Sequence, residues 1–246
     1  MEKPTVSLNS ILDEALKELE KPATKIRFSL PMTTEQMSQH LAASYAWCVS
    51  YRGCTYEADQ STMSKIGKVS QWLTSPSMKP MLLLYGGVGN GKTTMARAVA
   101  ALINTVRTKA QKLVYDFGPW QTTEQDDKEQ ARIFDRLTRL PFPQSVTAQS
   151  LADMAKSENP QYAKMKTTAF LILDDLGCEP ATVKSFGTEV TPVTDLLYER
   201  YDLMLPTIVT TNLNLQDIRS TYGVRLADRF NEVFERVGYN GKSYRR

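Results

Sequence analysis

Apolar positions along the chain follow two periods. At helical spacing they recur as Ile11, Leu12, Ala15, Leu16 and Leu19, as Met37, Leu41, Tyr45 and Cys48, and as Ile66, Val69 and Trp72. Each set falls on one helix face. The spacing predicts a helix after the Asn9-Ser10 cap, one over 33–53 capped by Thr34, and one over 60–75. Lys21-Pro22-Ala23-Thr24-Lys25 ends the first, because proline removes an amide donor and clashes with the preceding turn. Beyond the Ser75–Pro80 loop the pattern changes to short apolar runs: Met81–Tyr85, Lys166–Leu176 with a polar end, and Thr207–Thr211 after Pro206. Such runs fit strands buried on both faces. Ser145–Ala148 also reads as a strand. Helices are predicted from Thr94 to Ile103, near Ser150–Lys156, and over 189–204, where Val193, Leu196, Leu197, Tyr201 and Met204 recur. The stretch 107–143 is the least regular. Leu113-Val114-Tyr115 reads as a short strand, Gln121–Lys128 as a polar segment, and Ala131–Leu140 as a helix ended by Pro141 and Pro143. Strands alternating with helices predict an α/β fold with a parallel sheet flanked by helices. Ligands then bind at the carboxyl ends of the strands.

Composition narrows the class. The 246 residues fit one α/β domain over 76–246 preceded by a small helical N-terminal region over 1–75. Net charge is +3, from 30 basic and 27 acidic side chains, too mild to argue nucleic-acid binding without a local basic face. Cys48, Cys54 and Cys178 are odd in number and fit no zinc spacing, so they read as free thiols in a reducing compartment. His40 is the single histidine, which argues against a multi-histidine metal site and against His-based acid–base chemistry. No run approaches the roughly 20 apolar residues of a membrane span, and Met1-Glu2-Lys3-Pro4 lacks a signal-peptide core. A cytoplasmic protein with no membrane partner is expected.

The apolar run Met81–Tyr85 leads into Gly86-Gly87-Val88-Gly89-Asn90-Gly91-Lys92-Thr93, then Thr94 and a helix former. This is G-x-x-x-x-G-K-[ST] in its strand–loop–helix setting, a phosphate-binding loop. Glycines let successive amides turn toward phosphate oxygens. Lys92 supplies a point charge, the Thr93 hydroxyl can join a Mg2+ shell, and the helix N-terminus adds a positive dipole. Asp174 and Asp175 close the apolar strand Phe170–Leu173. Alone they read equally well as a solvated strand end. Beside a phosphate loop, Asp174 reads as a Mg2+ ligand and Asp175 as the acid that polarises a water. Asn212, after Thr210-Thr211, is either a turn former or an amide placed on the γ-phosphate. Arg225 and Arg229, four apart, share a helix face. They read as a solvated pair or as a finger toward a neighbour's nucleotide.

Taken in order, the loop, Leu173-Asp174-Asp175-Leu176-Gly177, Thr210-Thr211-Asn212-Leu213 and Tyr222-Gly223-Val224-Arg225-Leu226-Ala227-Asp228-Arg229-Phe230 resemble the DnaC/DnaI-type bacterial helicase loaders, which are AAA+ ATPases. Thr191-Pro192, Tyr198–Tyr201, Leu205–Ile208 and Gly241–Arg245 extend the resemblance over residues 80–246. It implies an ASCE-type P-loop sheet without a separate lid domain and a Mg2+-dependent ATPase with ATP as ligand. It places Lys92 and Thr93 in Walker A, Asp174 and Asp175 in Walker B, and Asn212 at sensor 1. Arg229 falls at the finger and Arg245 at the second sensor. The implied partners are a replicative helicase ring, single-stranded DNA and, with ATP bound, further copies of the chain. Tyr162, Lys164, Lys166, Phe117 and Trp120 are candidate DNA contacts. Two features depart from the family: 107–143 is longer than its usual link, and 1–75 lacks its zinc-cysteine pattern. IstB-like transposition ATPases, acting on duplex DNA, share the same core motifs.

Overall fold

The computed structural model describes residues 27–119, 125–185 and 187–240. In chain order the elements are α1 (Thr34–Ser50), α2 (Gln60–Thr74), β1 (Met81–Gly86), α3 (Lys92–Phe117) and α4 (Gln125–Thr138). There follow β2 (Gln144–Thr147), α5 (Ala148–Lys156), α6 (Gln161–Thr167), β3 (Leu171–Leu176), β4 (Val183–Ser185) and β5 (Thr188–Val190). The described chain closes with α7 (Pro192–Asp202), β6 (Thr207–Thr211), α8 (Leu215–Val233) and β7 (Phe234–Tyr239). Five strands form one sheet in the order β2-β3-β6-β1-β7, every pair parallel. The α/β P-loop architecture expected from the sequence is therefore present. β6 is inserted between the phosphate-loop strand β1 and the acid strand β3, as an ASCE-type sheet requires.

The apolar runs explain the sheet. Side chains alternate between its faces. Leu82, Leu84, Ile172, Ile208 and Val237 join one buried cluster with α3, while Met81, Leu83, Leu171, Leu173 and Val209 join another with α5, α7 and α8. The first cluster also contains Met37, Leu41, Tyr45, Ile66, Val69 and Trp72. Helices α1 and α2 thus complete the layer over β1 and α3. The stripe Ile11–Leu19 lies outside the described residues.

Local chemistry sets the helix starts. Thr33, not Thr34, caps α1: Gln36 N donates to Thr33 Oγ1 at 3.2 Å and Thr33 N to Gln36 Oε1 at 3.1 Å. This reciprocal pair satisfies two of the donors a helix start leaves open. Asp59 caps α2 and Asn214 caps α8.

Three expectations are corrected. Leu113-Val114-Tyr115 is helical, inside a 26-residue α3. Neither Gly nor Pro interrupts residues 92–117, so helix propagation overrides the weak strand preference of three residues; Gly118 and Pro119 end it. Lys166 and Thr167 belong to α6, and β3 starts only at Leu171. Residues 189–190, expected to open the helix over 189–204, lie instead in β5, which forms an antiparallel hairpin with β4, and the helix runs Pro192–Asp202.

The fully buried Arg200 fixes where α6 stops and the strands begin. Its Nε donates to Thr207 Oγ1 at 2.7 Å and Nη2 to the Pro206 carbonyl at 2.9 Å. Nη1 donates to the carbonyls of Met165, Lys166 and Thr168 at 3.2, 3.2 and 2.8 Å. Burial pulls its pKa down to about 9. Carbonyl oxygens and one hydroxyl, rather than a carboxylate, satisfy the buried guanidinium.

Candidate nucleotide site

The carboxyl ends of β1, β6 and β3 lie side by side, which brings three distant sequence motifs to one point. The loop 86–91 joins β1 to α3, and Gly91 takes the N-cap position at φ +88° with no side-chain cap. The first amides of α3 are thereby left available to an anion. Two glycines are required by positive φ, and Gly86 also by close approach of backbone. A Cβ on Gly86, at φ +126°, would stand 2.5 Å from the Tyr239 carbonyl oxygen. One on Gly91 would stand 2.4 Å from the Tyr45 hydroxyl. Tyr45 of α1 and Tyr239 of β7 therefore wall the loop, and Asn90 Nδ2 donates to the Tyr239 carbonyl at 3.0 Å. Val88 is exposed at the loop's crest.

Lys92 Nζ donates to the carbonyls of Gly86 and Gly87 at 2.8 and 2.7 Å and to Asn212 Oδ1 at 2.9 Å. An ammonium has three protons, and these three acceptors fix its head at the loop. Asn212 follows β6, so it meets Lys92 only because β6 pairs with β1.

The acids are held by hydroxyls. Thr93 Oγ1 donates to Asp174 Oδ1 at 2.9 Å, and Thr210 Oγ1 donates to the same oxygen at 2.5 Å. Asp174 is only 7% exposed. It makes no ion pair with the described residues, and no hydrogen bond from them reaches Oδ2. A buried carboxylate is stable when paired or bound to a metal. One uncommitted oxygen beside the Thr93 hydroxyl fits Mg2+, a hard cation that takes oxygen ligands. Asp175 has φ +57° and its amide donates to Thr210 Oγ1 at 3.0 Å. The thiol of Cys178 nearby is pushed up by burial and then by Asp175, Glu179 and Asp174, a sign of concentrated negative charge.

Arg225 and Arg229 lie in α8, past a break at Gly223 where φ is +84°. Arg225 is exposed and makes no hydrogen bond or ion pair with the described residues. Arg229 instead is clasped by α7: its guanidinium stands 4.3 Å from the Tyr198 ring centre, 4.4 Å from that of Tyr201, and 3.7 Å from Asp202 Oδ1. Tyr222, just before the break, donates its hydroxyl to Glu179 Oε1, and Glu179 Oε2 accepts the Gly177 amide at 2.9 Å. This strap joins α8 to the turn after the acids. Burial and the Glu179 bond raise the Tyr222 pKa.

Of the candidate DNA contacts, Tyr162 has its hydroxyl on the Pro192 carbonyl and its ring under Lys166. Phe117 is exposed at the end of α3. Arg245 and Trp120 lie outside the described residues. Sequence reasoning missed Thr210, Tyr45, Tyr239 and the Glu179–Tyr222 strap. Thr210 belongs to the Thr210-Thr211-Asn212 run, whereas nothing local marks the other three.

No helix among the described residues is long and apolar enough to cross a membrane. Neither a family model nor a curated protein matches the chain in sequence. Among solved structures, the chain is similar to DnaI at 17% identity and a TM-score of 0.49, over 89% of this chain and 97% of that one. It is similar to the DnaC helicase loader at 20% identity and a TM-score of 0.42, over 75% of this chain and 93% of that one. For AMPPCP-bound DnaA from Aquifex aeolicus the values are 16% and 0.48, over 76% of this chain and 50% of that one. A DNA replication initiation factor is also similar, at 17% identity and a TM-score of 0.48, over 75% of this chain and 48% of that one.

Proposed function

We propose that this protein is an ATPase that loads a replicative helicase ring onto single-stranded DNA, with hydrolysis as the release switch. The observation that carries the nucleotide site is the meeting of Lys92, Asn212, Thr93 and Asp174 through direct hydrogen bonds. The loader assignment is supported by the ordered motifs from Gly86 to Phe230. Residues 86–94 cradle the triphosphate through their amides, and Lys92 exchanges carbonyl partners for phosphate oxygens. Thr93 and Asp174 would hold Mg2+, which would supply neutralisation of phosphate charge. Asp175 takes the proton of the attacking water, and Asn212 orients that water or the γ-phosphate by its amide.

The arginine of a neighbouring copy completes the charge balance. The clasp on Arg229 does not exclude it, because two exposed cation–π contacts are worth about 0.5–1 kcal/mol each. A finger contributes about 10³–10⁵ in rate. Arg229→Ala and Arg225→Ala, each mixed with Lys92→Ala, identify the finger. The finger variant binds ATP normally, hydrolyses it poorly alone and regains turnover in mixed oligomers. If neither mixture recovers while the proteins co-assemble, both arginines are structural.

Partner contact is assigned to the N-terminal region 1–75. Met37, Leu41, Ile66 and Trp72 of α1 and α2 belong to the core, and we assign the helix-in-groove contact to the amphipathic spacing of Ile11, Leu12, Leu16 and Leu19 in the sequence. Deleting residues 1–26 should spare ATP binding and abolish co-elution with the helicase ring. A truncated chain that still co-elutes refutes the adaptor role. Binding of the full chain to a DDE transposase instead of the helicase favours the IstB-like alternative.

A further inference from the structure

We propose that Thr210 is a positioning residue that sets both acids for hydrolysis; this rests on the nucleotide site proposed above. Thr210 is fully buried in β6. A hydroxyl has one proton and two acceptor positions, and here both capacities serve the acid strand. The proton goes to Asp174 Oδ1 at 2.5 Å, and the oxygen accepts the Asp175 amide at 3.0 Å.

The backbone gives the reason such a group is needed. β3 and β6 pair regularly as far as Leu173 and Val209, then resume at Leu176 and Thr211. Two residues of β3, Asp174 and Asp175, therefore face one residue of β6, Thr210, which is a β-bulge. In a regular strand consecutive side chains leave on opposite faces, so two adjacent acids serve one site only if the strand breaks between them. At the break Asp175 adopts φ +57° and the register with β6 shifts. The Thr210 hydroxyl accepts the Asp175 amide there, a side-chain bond across the bulge. By sharing Oδ1 with Thr93, it also turns Asp174 so that Oδ2 remains for the cation.

The test compares Thr210→Val, which keeps the branched shape and removes the hydroxyl, with Thr210→Ser and Thr210→Ala in the full chain. Three quantities are read: melting temperature, nucleotide fluorescence titrated with Mg2+ or in EDTA, and ATP turnover. Thr210→Val should match wild type for ATP affinity in EDTA. It should need more Mg2+ to reach its bound-state signal, and its kcat should fall about tenfold to a hundredfold, the scale of a lost hydrogen bond to a charged group. Thr210→Ser should restore at least half of both. Wild-type turnover and Mg2+ requirement in Thr210→Val overturn the proposal, as does a Thr210→Ser variant as impaired as Thr210→Val. Should Thr210→Val not fold, Ser and Ala differ only by the oxygen: a tenfold advantage for Ser upholds the role, and equal rates overturn it. A wild-type chain that neither binds nor hydrolyses ATP refutes the nucleotide site itself. Wild-type turnover with an unaltered Thr210→Val refutes the clamp alone.

Discussion

Asp175→Asn should bind ATP with near wild-type affinity and lose turnover by about 10²–10⁴, the usual contribution of a positioned general base. The substitution suits this site for a conformational reason. Asp175 sits at φ +57°, a region that Asn and Asp visit more readily than other side chains. Asn therefore keeps the bulge and the amide bond to Thr210, and removes only the charge and the proton-accepting oxygen. Asp175→Ala is a poorer test, because Ala in the left-handed region adds roughly 1 kcal/mol or more of strain. The variant should accumulate the ATP-bound assembly. Turnover is measured by phosphate release and affinity by nucleotide fluorescence. Wild-type turnover would remove Asp175 from the chemistry and shift attention to Asp174 and Glu179.

Lys92→Ala should lose most ATP affinity and, with it, hydrolysis. Two charge-assisted hydrogen bonds at about 1.5–3 kcal/mol each correspond to a factor of about 10²–10⁴ in Kd. The structure adds a second consequence. The substitution also strips the Gly86 and Gly87 carbonyls and Asn212 Oδ1 of a shared donor. Some loosening of the loop is expected, so the melting temperature is measured beside the titration. An unchanged Kd in a folded variant would refute the site; a weakened Kd with an intact melt supports it.

The elements that the sequence placed well are those set by short-range rules. Continuous apolar runs marked β1, β3 and β6, and helical spacing marked α1, α2 and α7. The error at Leu113–Tyr115 has the same origin: three strand-forming residues carry little weight against a helix that nothing interrupts from 92 to 117. The N-terminal region shows the limit of an amphipathic stripe. Met37, Leu41, Ile66 and Trp72 mark buried faces correctly, but a stripe does not say what it packs on. The structure places it on the layer over β1 and α3.

By itself the sequence determined the glycine-rich loop motif 86–93, the paired acids and the α/β class, because each is a local pattern of residue type and spacing. Only the tertiary structure decided which of these meet. Lys92 reaches Asn212, 120 positions away, because β6 inserts between β1 and β3. Asp175 departs from the strand because a bulge breaks the register opposite Thr210. Tyr45 and Tyr239 wall the loop because α1 and β7 pack against it. Arg229 is clasped by Tyr198 and Tyr201 while Arg225 stays exposed, although both share one helix. Strand order and register are set by the whole core closing at once, and no window of neighbouring residues carries that information.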